Sequence, residues 1–420
     1  MDDCDVQINI QKDIPSLIMK VSSYYVFIIT LLMMGSSIIA QGSGIETDEK
    51  EKPSKRLNFV SETNNLTQNE DDSVYPQISS SSENIYIVWQ ESVGSYGTSN
   101  YDIFFKKSND SGETFGSPIN LSNNTGFSEH PQIASVGNII YIVWVDDSSG
   151  EREIMFCKSS DSGKTFSNST IVSKNSMGPN HVELAAEGQS VYIVWNSFDK
   201  EMRNIILLSK SDDAGKTFAE LREIGIADME TFPKIAADAD EYFVTWDKEN
   251  GKDTGILFIK GHKNYNKMHN VTNHSKLNDV GIGGGESQVA ANSDHVLVAW
   301  TSNIPVDKKH VYIRNSINNG NDFGNIVRLS TINSSNVENI IIDGNSYIVW
   351  QDNIYGNQDI FITKSNMNGT RIDKPVNVSN NTGISECPSI TVSRNGIHMV
   401  WEDDTTGNHE VLYTRLSKFS

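Results

Sequence analysis

Seven tryptophans, each closing a short apolar run, constrain this chain more than any other feature. The runs are Ile85 to Trp89, Ile140 to Trp144, Val191 to Trp195, Tyr242 to Trp246, Val296 to Trp300, Tyr347 to Trp350 and Ile397 to Trp401. Successive tryptophans lie 55, 51, 51, 54, 50 and 51 residues apart. Self-similarity at a period near 50 residues marks a propeller or a solenoid. After each Trp a polar loop leads to a second β-rich run, such as Asp102-Ile103-Phe104-Phe105 or Asp359-Ile360-Phe361-Ile362. A Gly-containing turn and a third short run follow, as in Ile119-Asn120-Leu121 or Val376-Asn377-Val378. A loop then ends at a Pro or polar residue before Gln-Ile or its like, as in Pro76-Gln77-Ile78 and Pro131-Gln132-Ile133. Four short strands per repeat with no helical period make one antiparallel blade, with strand A after the Pro, B ending at Trp, then C and D. The expected fold is therefore all-β: a seven-bladed β-propeller whose core lies between blades, because no blade buries both faces alone.

The ends of the chain sharpen this expectation. The last repeat stops near Arg415-Leu416 and lacks strand D. Leu66 lies ten residues before Pro76, as Leu121 does before Pro131 and Val378 before Pro388. Residues 57 to 67 should thus supply the missing strand, closing the last blade and removing two free edges. The propeller is placed at 57–416, with a tail at 417–420. Residues 1–40 read as a signal peptide or membrane anchor, since Val21 to Ala40 carries no charge and Ile38-Ile39-Ala40 before Gln41 suits cleavage. Twenty residues at 1.5 Å rise also just span a hydrocarbon core. The acidic stretch with Asp2, Asp3, Asp5 and Asp13 is wrong for a signal start, so Met19 before Lys20 is the better initiator. Residues 41–56 read as a linker. Either leader places the body outside the cytoplasm, secreted or at the cell surface.

A formal charge of -20 and a pI near 4.8 exclude nucleic acid as the main partner and leave membrane contact to the N-terminal segment alone. Of three cysteines, Cys4 falls in the leader, while Cys157 and Cys387 lie in different repeats and make no disulfide framework. Eleven Asn-x-Ser/Thr sequons, at Asn65, Asn109, Asn120, Asn123, Asn168, Asn270, Asn273, Asn333, Asn368, Asn377 and Asn380, agree with an exported glycoprotein.

Between strands C and D, three repeats carry S-x-D-x-G-x-T-F: Ser108 to Phe115, Ser159 to Phe166 and Ser211 to Phe218. Degenerate copies run from Ser316 to Phe323, with Asn318 replacing the Asp, and from Ser365 to Thr370. The pattern reads as a hairpin in which the Asp binds backbone donors, Gly takes a positive φ and the Phe packs under the blade. It resembles the Asp-box, or neuraminidase repeat, of the sialidase superfamily. The resemblance spans roughly Leu57 to Leu416. It implies a structural role for Asp110, Gly112, Asp161, Gly163, Asp213 and Gly215, on the face opposite any active site. Sialidases have six blades, an arginine triad that begins in an Arg-Ile-Pro motif, a Tyr nucleophile activated by Glu, and an Asp acid/base. This sequence counts seven blades, has no Arg-Ile-Pro and holds only nine arginines, of which Arg152, Arg203 and Arg314 alone are expected near B–C loops. A non-sialidase member is the expectation.

In propellers the B–C and D–A loops share the face that surrounds the central channel. Here they are acidic, with Glu91, Asp146, Asp147, Asp247, Asp352, Glu402, Asp403 and Asp404 in the first set and Asp71, Asp72, Glu129, Asp228, Glu230, Glu286, Glu338 and Glu386 in the second. Solvated surface, a divalent-cation site and a protein- or glycan-binding face are all compatible with that charge. For hydrolysis by a carboxylate pair, Glu129, Glu230 and Glu386 are the candidates. Aligned just before strand A are Tyr75, His130, His181, Phe232 and Cys387. His130, His181 and Cys387, with Met177 or Met229, are the soft-metal candidates. The functional expectation is a non-catalytic binding propeller that requires no cofactor, and the alternative is a glycoside hydrolase with an altered site.

Overall fold

The B-strand runs are apolar at nearly every position, Thr245 and His398 being the exceptions, because each is covered on both faces by neighbouring blades. Ile85, Tyr86, Ile87, Val88 and Trp89 are all at most 1% exposed. In the computed structural model, residues 59–94, 100–228, 231–248, 255–264, 275–277, 285–302, 309–330 and 334–417 are described. They form seven four-stranded antiparallel sheets. Blade one runs Ser73–Ser81, Asn84–Val93, Asn100–Ser108 and Ile119–Asn120 as strands A to D. The other A strands are Ser128–Val136, Met177–Glu187, Lys234–Asp238, Gly285–Asn292, Ser334–Ile342 and Ser385–Ser393. Seven hydrophobic clusters each draw on two adjacent blades, and one tryptophan sits in each.

The last blade closes as the spacing requires. Its A, B and C strands are Ser385–Ser393, Gly396–Asp403 and Glu410–Leu416, and its outer strand is Asn64–Asn65. Asn64 pairs with Tyr413 and Asn65 with Leu412, and Phe59 adds a bridge to Leu416. Leu66 is buried beside Trp89, Val400 and Tyr413, and its carbonyl accepts from Lys106 Nζ of blade one at 2.6 Å.

The S-x-D-x-G-x-T-F turns hold blades together, which sharpens the expectation that their Phe packs under its own blade. Within blade two's turn, Asp161 accepts from Ser159 Oγ (2.7 Å), Thr165 N (2.9 Å) and Thr165 Oγ (2.6 Å). Asp110 and Asp213 repeat this arrangement. Phe115, Phe166, Phe218 and Phe323 then meet Tyr413, Phe105, Phe156 and Phe258 of the preceding blade edge-on, with centroids 4.9 to 5.0 Å apart. Cations on those preceding C strands donate into the turns: Lys107 Nζ to Ser162 O (3.0 Å), Lys158 Nζ to Ala214 O (2.7 Å) and Arg415 to Ser111 O (2.9 Å). Asn318 supports the same frame without a charge, accepting from Asp322 N at 2.9 Å.

Two sequon amides are committed inside the fold. Asn120 Nδ2 donates to Asp102 at 2.7 Å and Asn377 Nδ2 to Asp359 at 2.8 Å. No helix among the described residues is long and apolar enough to cross a membrane, and Val21 to Ala40 lies outside them.

Candidate functional site

Where strand A enters its blade, the pairing with strand B slips. In blade one, Val74 pairs with Gln90 and Gln77 with Val88, so Tyr75 and Pro76 together oppose Trp89. The same bulge occurs at His130-Pro131, His181-Val182, Asn336-Val337 and Cys387-Pro388, each opposite its blade's tryptophan. The first bulged residue has positive φ in all five: Tyr75 (52°), His130 (53°), His181 (47°), Asn336 (46°) and Cys387 (48°). A side chain in that region costs ~1–2 kcal/mol, and three of these residues also precede Pro, which narrows the backbone further. Neighbouring blades stabilise the turn. Tyr75 N donates to Glu402 (2.9 Å), His130 N to Gln90 (2.8 Å), Cys387 N to Gln351 (3.1 Å) and Asn336 N to Glu286 (3.0 Å). Gln90, Gln351 and Glu402 each directly follow a tryptophan of the preceding blade.

The bulged side chains surround a cavity of about 480 Å³ at the channel mouth. Its wall has two unlike halves. Tyr75, His130, His181 and Phe232, from four consecutive blades, form an aromatic arc with successive centroid distances of 5.0, 5.9 and 4.0 Å. Glu286, Asn336, Glu386, Cys387 and Glu402 line the rest of the mouth. Two residues further along the A strands, a deeper set includes Gln77, Gln132, Glu183, Lys234, Gln288 and Glu338. Lys234 is ion-paired with Glu183, and Gln288 Nε2 donates to Glu338 at 2.7 Å.

The electrostatics follow from this crowding of carboxylates in a sheltered space. Burial pushes Glu338 up to about 8, Lys234 opposing the rise and Glu183 adding to it. Burial raises Glu402 as well, against the Tyr75 N–H bond, with Glu386 contributing. The Cys387 thiol is pushed well above its ordinary value, first by burial and then by Glu402, Glu386 and Glu286. Tyr75 rises to about 12 through burial and the charges of Cys387, Glu402, Glu129 and Glu386. Burial instead lowers both histidines, His181 to about 4, so both imidazoles are neutral near pH 7.

Of the sequence candidates, His130, His181, Cys387 and Glu386 line this one cavity. Glu129 stands beside it, ion-paired to Arg152 at 3.2 Å, and Arg152 also donates to Asn180 at 3.1 Å. Glu230 and Met229 lie outside the described residues. His130 and His181 are neighbours, whereas Cys387 belongs to the acidic half of the wall. Among the described residues no three His, Cys, Asp or Glu side chains converge as a metal site.

Two expectations about charge need correction. Glu129, Glu286, Glu338 and Glu386 lie on A strands rather than in D–A loops. Several B–C acids are not solvated surface at all: buried Asp146 accepts from Trp144 Nε1 (2.9 Å), Ser128 Oγ (2.8 Å) and Asn124 Nδ2 (2.9 Å). Asp352 accepts likewise from Trp350 and Ser334, and Glu91 from Trp89 and Ser73. Their role is to satisfy the indole and the first residue of strand A. Arg314, expected near a B–C loop, is on strand C of blade five and donates to the carbonyls of Gly324 and Leu277.

Sequence reasoning missed Glu183 and Lys234. The signal was present as a polar position aligned across repeats between apolar neighbours, Gln77, Gln132, Glu183, Lys234, Gln288, Glu338 and Ser389, which marks the axis-facing side of strand A.

Comparison with solved structures finds the same kind of fold, a β-propeller, in other proteins. It is similar to a protein of unknown function from Dyadobacter fermentans, at 13% identity and TM-score 0.55, covering 88% of this chain and 100% of that one. It also resembles phage phi92 endosialidase, at 11% identity and TM-score 0.51, covering 86% and 70%. Trypanosoma rangeli sialidase matches at 12% identity and TM-score 0.50 over 82% of this chain, which spans only 55% of that protein. At such identities the likeness concerns the fold alone. No family model and no curated protein matches the sequence.

Proposed function

We propose that this chain is a non-catalytic binding propeller, exported or tethered outside the cytoplasm, that takes protein or glycan ligands at the mouth of its channel. The observation that carries this reading is the cavity wall. No arginine is among its lining residues, and its lysine, Lys234, is tied to Glu183. A clamp for the carboxylate of an acidic sugar needs free, bidentate cations. Tyr75 also points away from sialidase chemistry, since a tyrosine nucleophile needs its phenol pKa lowered, and here it rises to about 12. The apolar run from Val21 to Ala40 supports the location.

A second reading has one specific observation behind it. Glu338, pushed up to about 8, holds a proton at neutral pH in a cavity that other carboxyl groups share. Carboxyl groups with separated pKa values are the requirement for glycoside hydrolysis. A panel of fluorogenic glycosides, run on the wild-type chain with Glu338→Gln and Glu386→Gln, decides between the two. Turnover lost in either variant overturns the binding reading. Silence across the panel, together with glycan or protein capture abolished by Tyr75→Ala at unchanged unfolding midpoint, supports it.

A further inference from the structure

The two halves of the cavity wall narrow the ligand chemistry. An aromatic arc attracts cations through the negative faces of its rings, worth ~0.5–2 kcal/mol per desolvated contact. Opposite it stand Glu286, Glu386 and Glu402, with Glu183 and Glu338 deeper. Lys234 is paired to Glu183 and Glu338 keeps its proton at neutral pH, so among the described lining residues no lysine or arginine is left to oppose Glu286, Glu386 and Glu402. An anion entering this space meets uncompensated carboxylate.

A compact metal ion fits no better, because among the described residues no three ligating side chains converge. A diffuse organic cation matches both halves of the wall at once, its methylene or methyl groups against rings and its charge toward carboxylates. The volume, about 480 Å³, falls within the ~300–1,000 Å³ range of pockets for small organic ligands. We propose that the cavity binds an organic ammonium group, carried by a small alkylamine or by a lysine side chain of a partner protein, between the aromatic arc and the mouth carboxylates. The proposal rests on reading the mouth as a binding site and adds what it binds. Burial is the main cause of the raised Tyr75 and Cys387, and the carboxylates around them add to it, a negative contribution that a bound cation would relieve.

Titration calorimetry on the full chain provides the test. The probes are N-acetyl-lysine methylamide, its trimethyl-ammonium form, spermidine, the neutral isostere N-acetyl-norleucine methylamide, and a short peptide with one central lysine or norleucine. An ammonium probe should bind at least about tenfold more tightly than its neutral isostere, the equivalent of about 1.4 kcal/mol. Phe232→Leu and Glu386→Gln should each weaken it about fivefold or more at unchanged unfolding midpoint. If the free amines bind as tightly as the peptide, the source is a small molecule; binding of the lysine peptide alone identifies a partner's side chain. Equal binding of the isostere, absence of binding by every ammonium probe, or indifference to both substitutions overturns the proposal. Glycan or protein capture at the mouth without ammonium binding defeats this inference and leaves the binding module standing, whereas glycoside turnover defeats the module itself.

Discussion

Gly163→Ala should destabilise the ring by about 2–5 kcal/mol, and the structure says where each part arises. Gly163 has φ of +75°, a conformation that costs an alanine ~1–2 kcal/mol. An added Cβ would also lie 2.7 Å from Phe105 Cζ, 3.0 Å from its Cε1 and 3.1 Å from Ile140 Cδ1. Phe105 is fully buried and held edge-on by Phe166 at 4.9 Å, so it has nowhere to retreat. Overpacking of this kind adds ~1–3 kcal/mol. Gly137 in the same blade isolates the first contribution, since its φ is +60° and nothing lies within 4 Å of its Cβ position. Gly137→Ala should therefore cost only ~1–2 kcal/mol. Urea unfolding followed by tryptophan fluorescence reads the difference directly, because all seven indoles are buried. Adding Phe105→Leu to Gly163→Ala should recover part of the loss, as a coupling between touching residues. If the two alanine variants unfold at the same midpoint, the turn is not packed on the preceding blade and the account of the inter-blade latch is wrong.

Deleting residues 57–67 removes the outer strand of blade seven, Leu66 from its cluster and the acceptor of Lys106. Thermal unfolding of the whole ring should fall as one transition, and an unchanged Tm would sink the closure. The proton on Glu338 is bound more tightly in the folded ring, its pKa rising from 4.5 to about 8. The stability it contributes is complete below the unfolded value and lost as pH rises through the folded one, so Glu338→Gln should flatten the fall in Tm over that window. A variant that keeps the wild-type slope would refute the assignment. Burial pushes the Cys157 thiol up to about 12. Peptide mapping should find it inert to iodoacetamide until the chain is unfolded, and native-state labelling at the rate of an exposed thiol would contradict the packing.

Along a single repeat the sequence was easy to read. The tryptophan period, the four strands and the ten-residue spacing that recruits Leu66 are all local patterns, and each appears in the fold. The Ser-Asp-Gly-Thr turn was equally legible, because an Asx-type turn is built within a few residues. What escaped were relations between repeats. Phe166 meets Phe105, Lys234 meets Glu183 and Gln288 meets Glu338. These partners lie 50 residues or more apart on separate blades, and no periodicity within a blade implies them. The acids after the tryptophans were misread for a related reason. A Trp-x-Asp sequence looks like a solvated loop until the indole is seen to need an acceptor. The mouth was only partly legible, since the bulge that turns Tyr75, His130, His181 and Cys387 toward the channel depends on slippage against strand B.

Those bulges also separate what the molecule recognises from what keeps it folded. At positive φ a glycine is more comfortable than tyrosine, histidine or cysteine. The backbone N–H bonds that hold the turns at Tyr75, His130 and Cys387 would survive its introduction. Stripping those side chains should therefore relax the scaffold while emptying the site. A selection for thermal stability alone would bare the mouth first, and a library built at these positions can rewrite the chemistry of the entrance with little effect on the ring beneath it.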